Sequence, residues 1–299
     1  MTSPTGLQHV LTHGDQRAVV TQVGASLRSY TVAGTPVVLG YGEDELFPAY
    51  DGAVLAPWPN RLTDGQFEVD GVEYQVPINE VDRRTALHGL VSYARFDATA
   101  STPSSVTLAH TLVPTPGYPW AVRVQVTYSL DEAGLRVHTL ASHDGPGAAP
   151  FGIGFHPWLE PGPGGVDACT LTVEADQHVL VDDRLLPVGT EPTDPALVGA
   201  GVPLAGVALD DAWDAARHDA EGWTTARLVR SDGRTTVLRG DRAVTAWQVC
   251  TGDGIPRIAR AAVAVEPMSC VADAFRTGTD LVHLTAGAPH ELVWTLQLV

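Results

Sequence analysis

Apolar and polar residues alternate along most of this chain. Val122, Val124, Val126, Tyr128 and Leu130 fall on every second position, Asp131–Gly134 interrupts with turn chemistry, and Leu135, Val137 and Thr139 resume the pattern. Side chains of a strand point alternately to its two faces. A period of two on both arms of a Gly-containing turn therefore predicts an antiparallel hairpin with one buried face. The pattern recurs at Phe67–Val69 and Val72–Tyr74–Val76 around Asp70-Gly71, and at Leu228–Arg230 and Thr235–Val237 around Asp232-Gly233. Asp-Gly between two such runs is a strong signal for a two-residue hairpin turn. The chain closes on a further alternating run, Leu292, Trp294, Leu296 and Leu298.

Helical periodicity is poor by comparison. Asp210–Asp219 is a candidate for a short helix, but no stretch repeats its apolar positions every 3.6 residues over three turns. Pro187–Pro203, rich in Pro, Gly and Thr, reads as a long surface connection with the same β pattern on either side. The expectation is an all-β protein of one large antiparallel domain spanning 1–299, big enough to bury roughly three quarters of its unfolded surface without disulfide or metal support.

Charge narrows the partners. Lys and Arg number 18 and Asp and Glu 35, a net charge of −17, which repels phosphate backbones and anionic membranes. Nucleic acid and membrane are therefore not expected as partners, and a phosphorylated substrate is mildly disfavoured. Cys169, Cys250 and Cys270 form no CxxC or His/Cys ligand spacing. Met1–Val10 lacks the basic and apolar regions of an export signal, and no apolar run approaches the roughly 20 residues that span a bilayer. A cytoplasmic location is the expectation.

Four segments break the hairpin grammar by setting polar side chains among apolar, Gly or Pro neighbours. In Ala56-Pro57-Trp58-Pro59-Asn60-Arg61-Leu62, Arg61 offers a fixed fork of donors for a hydroxyl array or carboxylate, or makes a structural salt bridge. In Ala86-Leu87-His88-Gly89-Leu90, His88 stands where a strand end turns sharply. In Phe151-Gly152-Ile153-Gly154-Phe155-His156-Pro157-Trp158, Pro157 biases His156 towards extended backbone in an apolar setting. In Ala261–Met268, Glu266 ends an apolar run, where burial should raise its pKa unless Arg61 or Arg257 pairs with it. His88, His156 and Glu266 form a possible two-His-one-carboxylate metal set, but no local ligand pair supports it. A desolvated Glu266 with a partly protonated His156 makes the better acid–base pair.

As an ordered set these segments resemble the aldose 1-epimerase (galactose mutarotase-like) family. The set comprises Pro59-Asn60-Arg61-Leu62, Gly65-Gln66-Phe67, Leu87-His88-Gly89, Gly154-Phe155-His156-Pro157-Trp158 and Leu209-Asp210-Asp211-Ala212-Trp213. It continues with Gln248-Val249-Cys250-Thr251-Gly252, Val265-Glu266-Pro267-Met268 and Asp273-Ala274-Phe275. The resemblance runs from about Arg17 to the C-terminus. It implies a β-supersandwich fold and interconversion of the α and β anomers of a free hexose such as glucose or galactose, with no cofactor and no metal. By motif position Glu266 resembles the general base and His156 the general acid. Arg61 and His88 resemble hydroxyl-binding residues, Asn60 shapes that corner, and Asp210, with Trp213 at Asp-x-x-aromatic spacing, resembles a further hydroxyl ligand. Asp211 is one residue away, and a one-residue shift in a strand reverses the face. Trp58, Trp158 and Trp213 are candidates for ring-stacking walls, though core packing is the commoner fate of Trp.

The resemblance implies a small-molecule monosaccharide as partner, with a monomer or homodimer equally compatible. Two departures stand out: Val271-Ala272 where a Pro-rich stretch is expected after Cys270, and Trp158 where Tyr is common. A mutarotase of a phosphorylated or sulfonated hexose and a non-catalytic carbohydrate-binding β-sandwich are the rival readings.

Overall fold

In the computed structural model, which describes residues 3–299, the alternating runs are antiparallel strands. Val122–Asp131 pairs with Gly134–Ser142 from Arg123↔Ser142 to Asp131↔Gly134, and every second residue from Val122 to Leu130 is buried. The Asp70-Gly71 turn joins Gln66–Val69 to Val72–Gln75 with φ of 52° and 77°, the two positive values that a type I′ turn requires. Thr224–Val229 pairs with Thr235–Gly240, and the closing run forms the strand His290–Leu298.

Two large sheets result. A nine-stranded sheet runs in the order Asp97–Thr102, Ser105–Leu112, Val122–Asp131, Gly134–Ser142, His290–Leu298, Thr235–Gly240, Thr224–Val229, Thr170–Val173, Val202–Pro203. An eight-stranded sheet orders Pro187–Pro192, Ala175–Val181, Asp210–Ala216, Ala246–Cys250, Val263–Met268, Gly154–Phe155 and Val54–Leu55, with Trp158–Leu159 also pairing to Val263–Met268. One buried apolar cluster draws on both sheets, and Phe155 of the second meets Trp294 of the first at a centroid distance of 5.4 Å. Buried aromatics of this kind each remove roughly 150–250 Å² from water. At about 25 cal/mol per Å² that is about 4–6 kcal/mol of gross burial energy per ring.

Strand alternation in the eight-stranded sheet decides where chemistry can sit. Trp213, Trp247, Val249, Val263 and Val265 belong to the shared core. Asp210, Gln248 and Glu266, on the alternate positions, line a cavity on the outer face. No helix among the described residues is long and apolar enough to cross a membrane.

Two expectations from the sequence need correction. Asp210–Asp219 is no helix: Asp210–Ala216 is a strand held between Ala175–Val181 and Ala246–Cys250, whose ladders override a weak local preference. Pro187–Pro203 is mostly exposed but not an unstructured connection. It contains the edge strands Pro187–Pro192 and Val202–Pro203, where a missing proline N–H is tolerated, and a one-turn helix, Pro195–Val198, capped by Asp194.

Candidate active site

The outer-face cavity has a volume of about 570 Å³, and all six residues singled out in the sequence line it: Asn60, Arg61, His88, His156, Asp210 and Glu266. Glu266 ends its apolar run but not its strand, which continues to Met268, and it lies directly opposite Gln248 in the register. Gln248 organises the polar wall. Its amide nitrogen donates to Asp210 Oδ1 at 2.8 Å, and its oxygen accepts from the Asn60 amide at 3.0 Å. Arg61 continues the network, with Nε 2.8 Å and Nη2 3.1 Å from the two Glu80 oxygens and Nη2 3.7 Å from Asp210. The structural salt bridge considered for Arg61 therefore exists, and the same guanidinium still faces the cavity. Asp210 and Asp211 take opposite sides: Asp211 Oδ1 lies 3.0 Å from His178 Nε2, outside this cavity.

Asn60 and His88 hold each other. They stand at the ends of the paired strands Arg61–Thr63 and Thr85–Leu87, both with left-handed φ, 55° and 60°. The His88 N–H donates to the Asn60 carbonyl at 2.9 Å, and the Asn60 N–H donates to His88 Nδ1 at 3.2 Å. An Nδ1 that accepts carries no proton, so a neutral His88 bears its hydrogen on Nε2 and acts as a donor. Gly89 must follow at φ 70°, because a Cβ there would stand 2.1 Å from the Ala56 carbonyl oxygen. Behind Arg61, the Asp273 N–H donates to the Arg61 carbonyl at 2.7 Å and Asp273 Oδ1 accepts from the Thr63 N–H at 2.8 Å. The departing pair Val271-Ala272 is buried just before this anchor.

His156 is placed by backbone contacts: its N–H reaches the Ala53 carbonyl at 3.3 Å and its carbonyl accepts from Gly52 at 2.8 Å. Gly154 lets this segment close on its neighbours, since a Cβ there would lie 2.8 Å from Pro59 Cβ. His156 Nε2 then stands 3.4 Å from Glu266 Oε1, with His156 Nδ1 and Glu266 Oε2 buried and without hydrogen-bond partners.

Burial dominates the electrostatics. Glu266 is pushed well above the ordinary carboxylate range by desolvation and then by the Asp210 charge, with Arg61 opposing. Desolvation lowers His156 to about 4. His88 is lowered well below its ordinary value, first by desolvation and then by His156 and Arg61. The partly protonated His156 expected from sequence is thus corrected: the resting proton of the pair belongs on the Glu266 side. No arginine is within salt-bridge reach of Glu266 among the described residues, so the Arg61 or Arg257 pairing considered for it is not formed. The carboxyl and imidazole sit close enough to serve two oxygens carried on one carbon. His88, His156 and Glu266 do converge, yet His88 Nδ1 is engaged by Asn60, and no group of three is spaced to hold a metal among the described residues.

Of the two fates weighed for the tryptophans, the core prevails over the cavity wall. Trp58 packs on Phe275 and donates to the Ala86 carbonyl, and Trp213 packs beside His178. Trp158 donates to the Ala49 carbonyl and supports the His156 ring from 5.3 Å. None lines the cavity; all three rings are buried. The aromatic that does line it is Tyr50. Sequence reasoning assigned no role to Tyr50, to Glu80 or to Gln248, and all three line the cavity.

A family model described as aldose 1-epimerase matches residues 8–297. The uncharacterized protein YihR of Escherichia coli (strain K12) is 33% identical over 290 residues, 96% of this chain and 91% of that one. The galactose mutarotase of Rattus norvegicus is 34% identical over 164 residues, 51% of this chain and 46% of that one, so the match spans about half of each. A solved galactose mutarotase-like protein from Clostridium acetobutylicum superposes with a TM-score of 0.85 at 16% identity, covering 97% of this chain and 94% of that one. An aldose epimerase homologue from C. elegans gives 0.84 at 20%, covering 98% and 99%. At these identities the two structures speak to the fold.

Proposed function

The chain belongs to the aldose 1-epimerase family, and from that membership we propose that it interconverts the α and β anomers of a free hexose such as glucose or galactose. The observation that carries this reading is the His156–Glu266 pair, 3.4 Å apart in a cavity also lined by Arg61, His88, Asp210 and Gln248. Glu266 as carboxylate takes the proton from the anomeric hydroxyl while His156 as imidazolium protonates the ring oxygen. The C1–O5 bond breaks and C1=O1 forms. Rotation about C1–C2 presents the other carbonyl face, and reclosure returns both protons.

The proton count is consistent with this. Resting carboxylic acid with neutral imidazole, and reactive carboxylate with imidazolium, each hold one proton on the pair, so the two forms interconvert without uptake from solvent. Each group is typically worth about 10²–10⁴ in rate. Arg61, Asp210, Gln248 and the Nε2–H of His88 serve the remaining hydroxyls, with Asn60 shaping their corner.

A mutarotase of a phosphorylated or sulfonated hexose is the second reading, and Arg83 favours it. This side chain lines the cavity and its buried Nε has no partner, although Glu80 engages its Nη1 at 3.0 Å. Glu80 and Asp210 offset Arg61 and Arg83, so the wall carries no surplus positive charge, and a neutral sugar remains the better fit. Polarimetry of freshly dissolved α-glucose, α-galactose and their 6-phosphates tests both readings. Acceleration confined to the phosphates moves the assignment to the second, and sugar binding without acceleration leaves a non-catalytic carbohydrate-binding protein.

A further inference from the structure

Tyr50 is the one Phe, Tyr or Trp side chain that lines the cavity among the described residues. Its ring lies edge-on to His88 at a centroid distance of 4.6 Å and nearly parallel to His156 at 6.3 Å, so it borders both imidazoles. The backbone is unusual: φ is 56°, in the left-handed region, which costs a non-glycine residue roughly 1–2 kcal/mol. Neighbouring contacts enforce it. Asp51 Oδ2 accepts from the Ala49 N–H at 2.7 Å, the Ala53 N–H donates to the Tyr50 carbonyl at 2.8 Å, and Trp158 Nε1–H donates to the Ala49 carbonyl at 3.0 Å. Backbone strain of this kind persists only where the surroundings over-determine it, and it gathers at functional sites.

The ring has no place in the hydrogen-bonded wall of Arg61, Asp210 and Gln248. Its hydroxyl meets the Asn79 amide at 3.5 Å rather than any of those three side chains, and the residue is only half-buried. A pyranose carries hydroxyls around its edge and C–H groups on its faces. The polar wall serves the edge, and a flat apolar surface of low conformational entropy serves a face.

We propose that Tyr50 is the platform on which the C–H face of the sugar stacks, setting the anomeric carbon beside His156 and Glu266 and closing the imidazole side to water. The proposal rests on the sugar reading of the cavity. It makes Tyr50 a binding and positioning residue, with no part in proton transfer.

The test uses the full chain and α-glucose, with Tyr50→Leu and Tyr50→Phe. Tyr50→Leu raises KM by about tenfold, the upper end of what one aromatic contact contributes, and changes kcat less. With water admitted, the acid limb of kcat/KM moves up towards the ordinary histidine value of about 6.5. Tyr50→Phe restores KM and the acid limb. It also abolishes the tyrosine ultraviolet difference spectrum that saturating sugar produces in the wild type, a readout that holds even if Tyr50→Leu does not fold. Wild-type KM and pH profile in Tyr50→Leu overturn the proposal, as does a difference spectrum that persists in Tyr50→Phe. Absence of mutarotation in the wild type sinks the parent reading instead, so the two failures are distinct.

Discussion

Asp210 and Asp211 are adjacent in the chain and work on opposite faces of one strand. Asp210 accepts from Gln248 at 2.8 Å inside the cavity, whereas Asp211 lies 3.0 Å from His178 in a separate recess behind it. Replacing them one at a time should separate binding from background. Asp210→Asn should raise KM for the sugar by about tenfold, the scale of one lost hydrogen bond to a charged group. It should also lower the Glu266 pKa, because the Asp210 charge helps to hold it up. Asp211→Asn should leave mutarotation intact. Burial works to lower the His178 pKa, but hydrogen bonds to Asp211 and Glu191 outweigh it and raise it, so this variant should bring His178 down. Steady-state polarimetry and an NMR titration of His178 measure the two effects. Equal loss of activity in both variants would contradict the assignment.

The hairpins are legible in the sequence because their alternation and turn residues agree, as at Asp70-Gly71. Asn60, Arg61, His88, His156 and Glu266 are legible because each sits in a segment that interrupts that alternation, whereas Asp210 is legible only through the family resemblance. Gln248 is not, although it belongs to a recognised motif: one amide within Ala246–Cys250 says little until its cross-strand partner Glu266 is known. Tyr50 and Glu80 lie in irregular segments, where no period tells which way a side chain faces. The Trp58, Trp158 and Trp213 rings mislead because a large aromatic suits a sugar wall and a core equally, and only packing decides. Asp210–Ala216 passes for helix because its strand pairs with segments distant in sequence, which local propensity does not register.

The proposed proton chemistry requires both members of the central pair. Glu266→Gln and His156→Asn should each lower kcat by about 10²–10⁴, with circular dichroism unchanged. Gln retains the shape of the carboxyl while removing its basicity, so a fall in kcat reports proton transfer and not packing. Near-wild-type turnover in either variant would remove that residue from the mechanism.

Glu80 holds Arg61 through both carboxylate oxygens, and the two side chains are only 15% and 10% exposed. Removing one partner of a mostly buried ion pair leaves the other charge uncompensated, which costs about 3–5 kcal/mol at full burial. Glu80→Ala should therefore destabilise the fold by about 3 kcal/mol and raise KM through a mispositioned guanidinium. Glu80→Gln retains hydrogen-bonding oxygen and should fall between. Denaturant melts and KM measured on the same preparations check this, and an unaltered KM in a destabilised Glu80→Ala would limit Glu80 to a structural role.

Stability should respond to pH from both sides, with a separate residue responsible for each. The His156 pKa is lowered to about 4 in the folded chain by desolvation, against about 6.5 when unfolded. The unfolded state then takes up a proton first as pH falls, so the stability contributed by neutral His156 is present above about pH 6.5 and is lost on the way down to about 4. Glu266 is raised by desolvation and Asp210, so its contribution has the opposite sign. It is fully present below the unfolded carboxylate value and is lost as pH rises towards the folded one, because the unfolded state releases its proton first. Thermal melts of wild type, His156→Asn and Glu266→Gln across roughly pH 4–8 distinguish the two contributions. His156→Asn should flatten the acid side of the Tm curve, and Glu266→Gln should flatten the side towards neutral and alkaline pH. A Tm curve whose slopes survive both substitutions would place the pH sensitivity in other groups and overturn the conclusion that burial sets the proton on this pair.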